Sequence, residues 1–159
     1  MFPIPWYAVL FISIPQTVLI IQLGFLLFNL RIEWRETVLA SIFIGIITYF
    51  LLRLSIIPGA HTLILIFITT LMISWLSKVN VWYSLIAIMC GAMIMGVIEN
   101  VVISLMLILI PKTVSDLSIH PWLNIAVFLP TLFLVSSIFF LVKKSKSVLY
   151  DLNVKGSSR

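Results

Sequence analysis

VWYSLIAIMCGAMIMGVIENVVISLMLILI, residues 81–110, is long and apolar enough to cross a bilayer, yet it holds Glu99 and Asn100 side by side far from either end. A spanning helix needs about 20 mostly apolar residues, and dividing this stretch would leave two pieces of about 15, so it reads as one span with some residues to spare. A carboxylate in hydrocarbon costs at least about 2.5 kcal/mol on insertion scales. Such a group is expected to face the bundle interior and find a partner there.

Composition places the whole chain in the same class. Of 159 residues, 62% are hydrophobic and 9% charged, against roughly 25% charged in soluble domains. The apolar residues come in runs of helical span length, and the period-two alternation of barrel strands is missing. The fold class expected is therefore all-α, a polytopic integral membrane bundle forming one domain over 1–146, with a short basic tail over 147–159. The net charge of +5 reflects position more than partner chemistry. Lys143, Lys144, Lys146, Lys155 and Arg159 form a juxtamembrane cluster, which suits topology and lipid headgroups better than nucleic acid. Cys90 is the single cysteine, so no intrachain disulfide is expected. The N-terminal segment lacks a basic n-region, and its apolar run continues to Leu30, so a cleavable signal peptide is not expected.

Working outward from residues 81–110, five spans are expected at about 5–30, 37–57, 61–77, 81–106 and 123–142. Pro3, Pro5, Trp6 and Tyr7 mark an interfacial start to the first. Pro15 interrupts its hydrogen bonding, and Gln16 and Gln22 place amides in the membrane, either bonded to neighbouring helices or lining a cavity. Residues 31–36 (RIEWRE) form a short polar link, Pro58-Gly59 a turn, and 112–122 (KTVSDLSIHPW) the one sizeable hydrophilic loop. Pro130 lies within the last span, as a candidate hinge.

Five spans put the ends on opposite sides. With the N-terminus outside, the cytoplasmic side receives Arg31, Arg35, Lys78 and the five basic residues of the C-terminal cluster, and the outside receives only Lys112. The positive-inside rule therefore favours a cell-membrane protein with its N-terminus outside and its C-terminus cytoplasmic. Spans two and four then run in the same direction. Arg53 and Glu99 fall about 24 and 27 Å up their helices, nearly level. An Arg and a Glu at one depth are expected to neutralise each other, with His61 and Asn100 close by. Three readings of this group remain open: an ion pair that fixes helix register, an Arg53 that snorkels outward beside a protonated Glu99, and the polar floor of an outward-facing pocket lined also by Gln16. Ala87 with Gly91, and Ala92 with Gly96, are small residues four apart that let a second helix approach closely, within the chain or across a dimer. Met89, Met93 and Met95 read as apolar fillers.

Catalytic readings find no foothold. GxSxG, HExxH and Walker A patterns are missing, and Asp116 and Asp151 are not an intramembrane pair. His61 and His120 do not have a metal-ligand spacing. The chain is expected not to be an enzyme and to use no metal or cofactor.

The order of features resembles the N-terminal membrane-sensing region of GHKL-type sensor histidine kinases, the group that includes agr-type peptide-sensing kinases. The resemblance rests on Ile4-Pro5-Trp6-Tyr7 and Ile14-Pro15-Gln16-Thr17 in the first span, Arg31 to Arg35 after it, and His61-Thr62 opening the third. His120-Pro121-Trp122 before the last span and Leu129-Pro130 inside it complete the set. It implies a multi-span receiver for an extracellular peptide or small molecule, coupled through its last helix to a cytoplasmic output. The departure is at the C-terminus, where about 17 residues follow the last span and neither a phosphoacceptor helix nor an ATP-binding domain is found. A sensor-like domain acting through a partner protein or a homo-oligomer is the leading expectation. The alternatives are a substrate-binding membrane subunit of a transporter and an assembly subunit of a membrane complex.

Overall fold

The computed structural model describes residues 6–54, 60–109 and 121–145, and within them the chain is five α-helices: α1 (Trp6–Leu27), α2 (Trp34–Arg53), α3 (Ala60–Ser77), α4 (Val81–Leu109) and α5 (Pro121–Ser145). All five are long and apolar enough to cross a membrane. The Pro58-Gly59 turn, most of the 112–122 loop, the far end of the second expected span and the basic tail lie outside the described residues.

Local chemistry accounts for where the helices begin and end. α1 stops short of the expected residue 30 because Asn29 takes a left-handed conformation (φ 53°) and the Leu30 N–H donates back to the Phe25 carbonyl at 2.9 Å. Asn is among the few residues that adopt this conformation readily, and it commonly closes helices. α2 begins three residues earlier than the sequence pattern placed it. Glu33 and Glu36 form a reciprocal capping box over its first turn, which brings Trp34 and Arg35 into the helix. At the start of α4, the Asn80 side chain accepts from the Trp82 N–H at 3.0 Å, a short polar side chain occupying orphan helix donors. α5 extends through Lys143 and Lys144 in its last turn, where cations suit the negative end of the helix dipole. Pro15 and Pro130 both lie inside continuous helices.

The bundle is built around α1, which packs against α2, α4 and α5. Ile21, Leu23 and Phe25 are all buried. A helix buried at i, i+2 and i+4 is covered on more than one face. α2 packs on α3 and α3 on α4, so α1 to α4 close a four-cornered ring, with α5 set against α1 and α4.

The tightest contact in the ring is α1 on α4. A methyl group added at Gly24 would sit 2.1 Å from the Ala87 carbonyl oxygen, and one added at Gly91 would sit 2.3 Å from the Ile20 carbonyl oxygen. Backbone therefore lies directly on backbone, the close approach that small residues permit in helix pairs. Ala87 and Gly91 are thus a packing step within the chain, with Gly24 as its counterpart on α1. Ala92 and Gly96 are not. A methyl group at Gly96 would meet nothing within 4 Å, and the sequence expectation of a second packing step is corrected: that face of α4 borders open space.

The outer surface is apolar. Phe11, Phe43, Phe50, Phe67, Met93 and Phe133 are exposed, as suits side chains that face lipid tails. Trp34, Trp75 and Trp82 are also exposed. They lie at the start of α2, the end of α3 and the start of α4, which is one end of the bundle, and tryptophan is enriched at such a level in membrane interfaces. Of the three methionines of α4 expected to be fillers, Met89 and Met93 face outward while Met95 is buried.

Candidate binding cavity within the four-helix ring

The open space beside Gly96 is a cavity of about 560 Å³ enclosed by α1, α2, α3 and α4. It occupies the half of the ring where α2 ends and α3 begins, opposite the tryptophan end. Drug-sized ligands occupy sites of about 300–1,000 Å³. Its apolar walls include Ile20, Ile44, Ile88 and Met95, and its polar lining is drawn from Ser13, Gln16, Thr17, Thr48, Thr69 and Glu99. His61 and Thr62 join where α3 starts.

Glu99 accepts a hydrogen bond from Gln16 Nε2 at 2.9 Å, and this bond links α4 to α1 across the cavity. Helix geometry explains why these two residues meet. Gly24 lies on Ala87 and Ile20 on Gly91, so Gln16 is level with about Met95 and Glu99 stands four residues, about 6 Å, further along at 1.5 Å per residue. Side chains lean toward the N-terminus of their own helix. On antiparallel helices these leans are opposed, so Glu99 reaches down and Gln16 reaches up until they meet.

Arg53 does not join them, and the expected ion pair is corrected. Its guanidinium donates to the Tyr49 hydroxyl and lies over the Tyr49 ring, 4.6 Å from the centroid. Counting residues gives depth along a helix but not the direction a side chain takes around its axis. Arg53 follows Ile44 by nine residues, which is about 180° around the α2 axis. Ile44 lines the cavity, so Arg53 points away from it and is exposed. Asn100 is also placed differently from expectation. It is exposed and its amide donates to the Gly96 carbonyl of its own helix at 2.7 Å, which satisfies it without a partner on another helix. Among the candidate residues, the structure brings together Gln16, Glu99 and His61 and leaves Arg53 and Asn100 outside.

The remaining amide, Gln22, is a helix tie: its Nε2 donates to Thr37 Oγ1 of α2 at 2.8 Å. The cavity hydroxyls were not singled out from the sequence. Ser13, Gln16 and Thr17 stand at i, i+3 and i+4, a polar stripe on one face of an otherwise apolar helix, and that period was the available signal. Ser13 Oγ donates to Thr48 Oγ1 at 3.3 Å, tying α1 to α2. Thr17, Thr48 and Thr69 donate to the carbonyls of Ser13, Ile44 and Leu65 within their own helices, at 2.7, 2.8 and 2.6 Å.

Two hydroxyls elsewhere, Ser84 Oγ and Thr131 Oγ1, are buried without a hydrogen-bond partner among the described residues. Cys90 is half-buried and free. No three His, Cys, Asp or Glu side chains among the described residues come together as a metal-binding group.

The fold defined by these elements is an all-helical bundle with five helices long and apolar enough to span a bilayer, the architecture of a multi-pass membrane protein. No family model, curated protein or solved structure matches the chain.

Proposed function

We propose that this protein is a receptor-like membrane protein that takes a small extracellular ligand into the cavity between α1, α2, α3 and α4 and passes its occupancy to a partner on the cytoplasmic side. The observation that carries the reading is the cavity itself, about 560 Å³ with a hydrogen-bonded Glu99 and Gln16 on its wall. An ionisable residue inside a membrane bundle is costly to keep, and it is ordinarily kept for function. The distribution of basic residues orients the chain with its N-terminus outside, which makes the cavity half of the bundle the outer half.

Signal reception is favoured over transport by the position of α5. None of its described side chains lines the cavity, yet it packs on α1 and α4, the two helices joined by the Gln16–Glu99 bond. A ligand that competes for Glu99 alters how α1 and α4 sit together, and α5 is the helix placed to register the change. Its last turn carries Lys143 and Lys144 toward the cytoplasmic surface. Pro130 lies midway along it as the hinge proposed for this movement.

Gly96→Leu provides the test. A Cβ at this position meets nothing within 4 Å and Gly96 lines the cavity, so the leucine side chain starts into that space. Tagged wild-type and Gly96→Leu proteins are purified in mild detergent, and the small molecules accompanying each are identified by mass spectrometry. A compound held by the wild type and missing from a Gly96→Leu protein of the same elution profile supports the reading. Identical small-molecule content in the two sinks it.

A further inference from the structure

We infer that the cavity selects a cationic amine with a compact apolar body, a conclusion that rests on the ligand-binding reading above and gives that ligand its chemical class. The protons that the lining groups have left to donate decide the class. A hydroxyl has one proton to donate and two lone pairs to accept with. Thr17, Thr48 and Thr69 each direct that proton to a carbonyl of their own helix, and Ser13 directs its proton to Thr48. What these four residues can still offer an occupant is lone pairs. Gln16 uses one amide proton on Glu99 Oε2, which leaves its carbonyl oxygen as an acceptor along with one remaining amide proton. Glu99 contributes a carboxylate whose second oxygen has no hydrogen-bond partner among the described residues. The middle of the cavity is therefore rich in acceptors and nearly spent of donors.

Charge points the same way. Glu99 and His61 are the two ionisable groups that line the cavity among the described residues. The one permanent cation expected nearby, Arg53, is turned outward and engaged with Tyr49. An anion entering here would meet a carboxylate and a ring of oxygen lone pairs. An ammonium group would find a charge-assisted acceptor in Glu99 and further acceptors in Gln16 and the threonines, and such bonds are about twice as strong as neutral ones. Where α3 starts, an acceptor on the ligand can be answered by His61 and Thr62, whose side chains have no hydrogen-bond partner among the described residues. The apolar body is fitted by Ile20, Ile44, Ile88 and Met95, with the open face of Gly96 beside them.

Three probes of one shape separate the alternatives: 2-phenylethylamine, 2-phenylethanol and phenylacetate, which at pH 7 are a cation, a neutral molecule and an anion. Dissociation constants are measured by calorimetry and ligand-dependent melting on the full chain in lipid nanodiscs, for wild type, Glu99→Gln and Gly96→Leu. The expectation is that the amine binds wild type at least about tenfold more tightly than either of the others. That preference disappears in Glu99→Gln, and Gly96→Leu binds none of the three. Equal or tighter binding of phenylacetate overturns the inference, as does amine binding that survives in Gly96→Leu, or a wild type that binds none of the probes. Should Glu99→Gln fail to fold, the ranking of the probes on wild type and the Gly96→Leu control still decide. A co-purifying ligand that is lost from Gly96→Leu but is neutral or anionic would overturn the charge class alone and leave the receptor reading standing.

Discussion

Two glycines five residues apart on α4 should respond in opposite directions to the same substitution. Gly91 lies against α1 so closely that a methyl group would stand 2.3 Å from the Ile20 carbonyl oxygen and 3.3 Å from the Gly24 nitrogen. Ordinary contact between such atoms begins above about 3.4 Å, and the obstacle is backbone, which has no rotamer to change. Gly91→Ala therefore has to push α1 and α4 apart by about 1 Å along their crossing. Overpacking of this kind costs about 1–3 kcal/mol, and the higher helix propensity of Ala returns up to about 1 kcal/mol. The net expectation is a destabilisation of about 1–2 kcal/mol. At Gly96 the same methyl enters the cavity, so only the propensity gain remains and the expectation is neutral to about 1 kcal/mol stabilising. The assay is reversible unfolding of both variants in the same detergent or bicelle, followed by circular dichroism. Equal stabilities, or a Gly96→Ala protein less stable than Gly91→Ala, would refute the assignment of one small-residue pair to the helix crossing and the other to the cavity wall.

Further expectations concern the polar ties and the topology. In a double-mutant cycle on stability, Gln16→Ala and Glu99→Ala should couple by roughly 0.6 kcal/mol and at most about 1.7, the span measured for membrane hydrogen bonds. Arg53→Met should add independently to Glu99→Ala, since Arg53 is engaged by Tyr49 on its own helix; coupling between them would restore the ion pair that the sequence suggested. Gln22→Leu removes the tie to Thr37 and should lower the unfolding free energy by about 0.6 kcal/mol, measured by the same unfolding assay, with ligand selectivity unchanged. In a Cys90→Ala background, single cysteines placed in the 112–122 loop should react with a membrane-impermeant thiol reagent on intact cells. Reaction only after the cells are opened would reverse the proposed orientation.

Much of the architecture is a property of composition and length. Five apolar runs of spanning length, bounded by Pro, Trp, Asn and charged residues, give five helices because a backbone in hydrocarbon must satisfy its own hydrogen bonds. The boundaries moved by a few residues at Asn29 and at Glu33–Glu36, where a left-handed closing residue and a capping box settle the last turn. Gln16, Glu99 and His61 were legible as members of a polar site because amides and charges stand out against an apolar background. The cavity threonines were harder to recognise, since a hydroxyl in a membrane helix is commonly bonded to its own backbone and carries little weight in a hydropathy profile.

What the linear pattern could not supply was the direction in which each side chain points. Depth along a helix follows from counting residues, which is why Arg53 and Glu99 were expected at one level. Rotation about the axis follows from packing partners, and every face of these helices is apolar enough for any of them to be buried. The sequence therefore determined that one long apolar helix, Val81–Leu109, carries a carboxylate far from either end. The tertiary structure decided which way that carboxylate faces: the backbone contact of Gly24 and Gly91 sets α4 against α1 in a single rotation, and that rotation turns Glu99 and Gly96 into the cavity and Asn100 out of it.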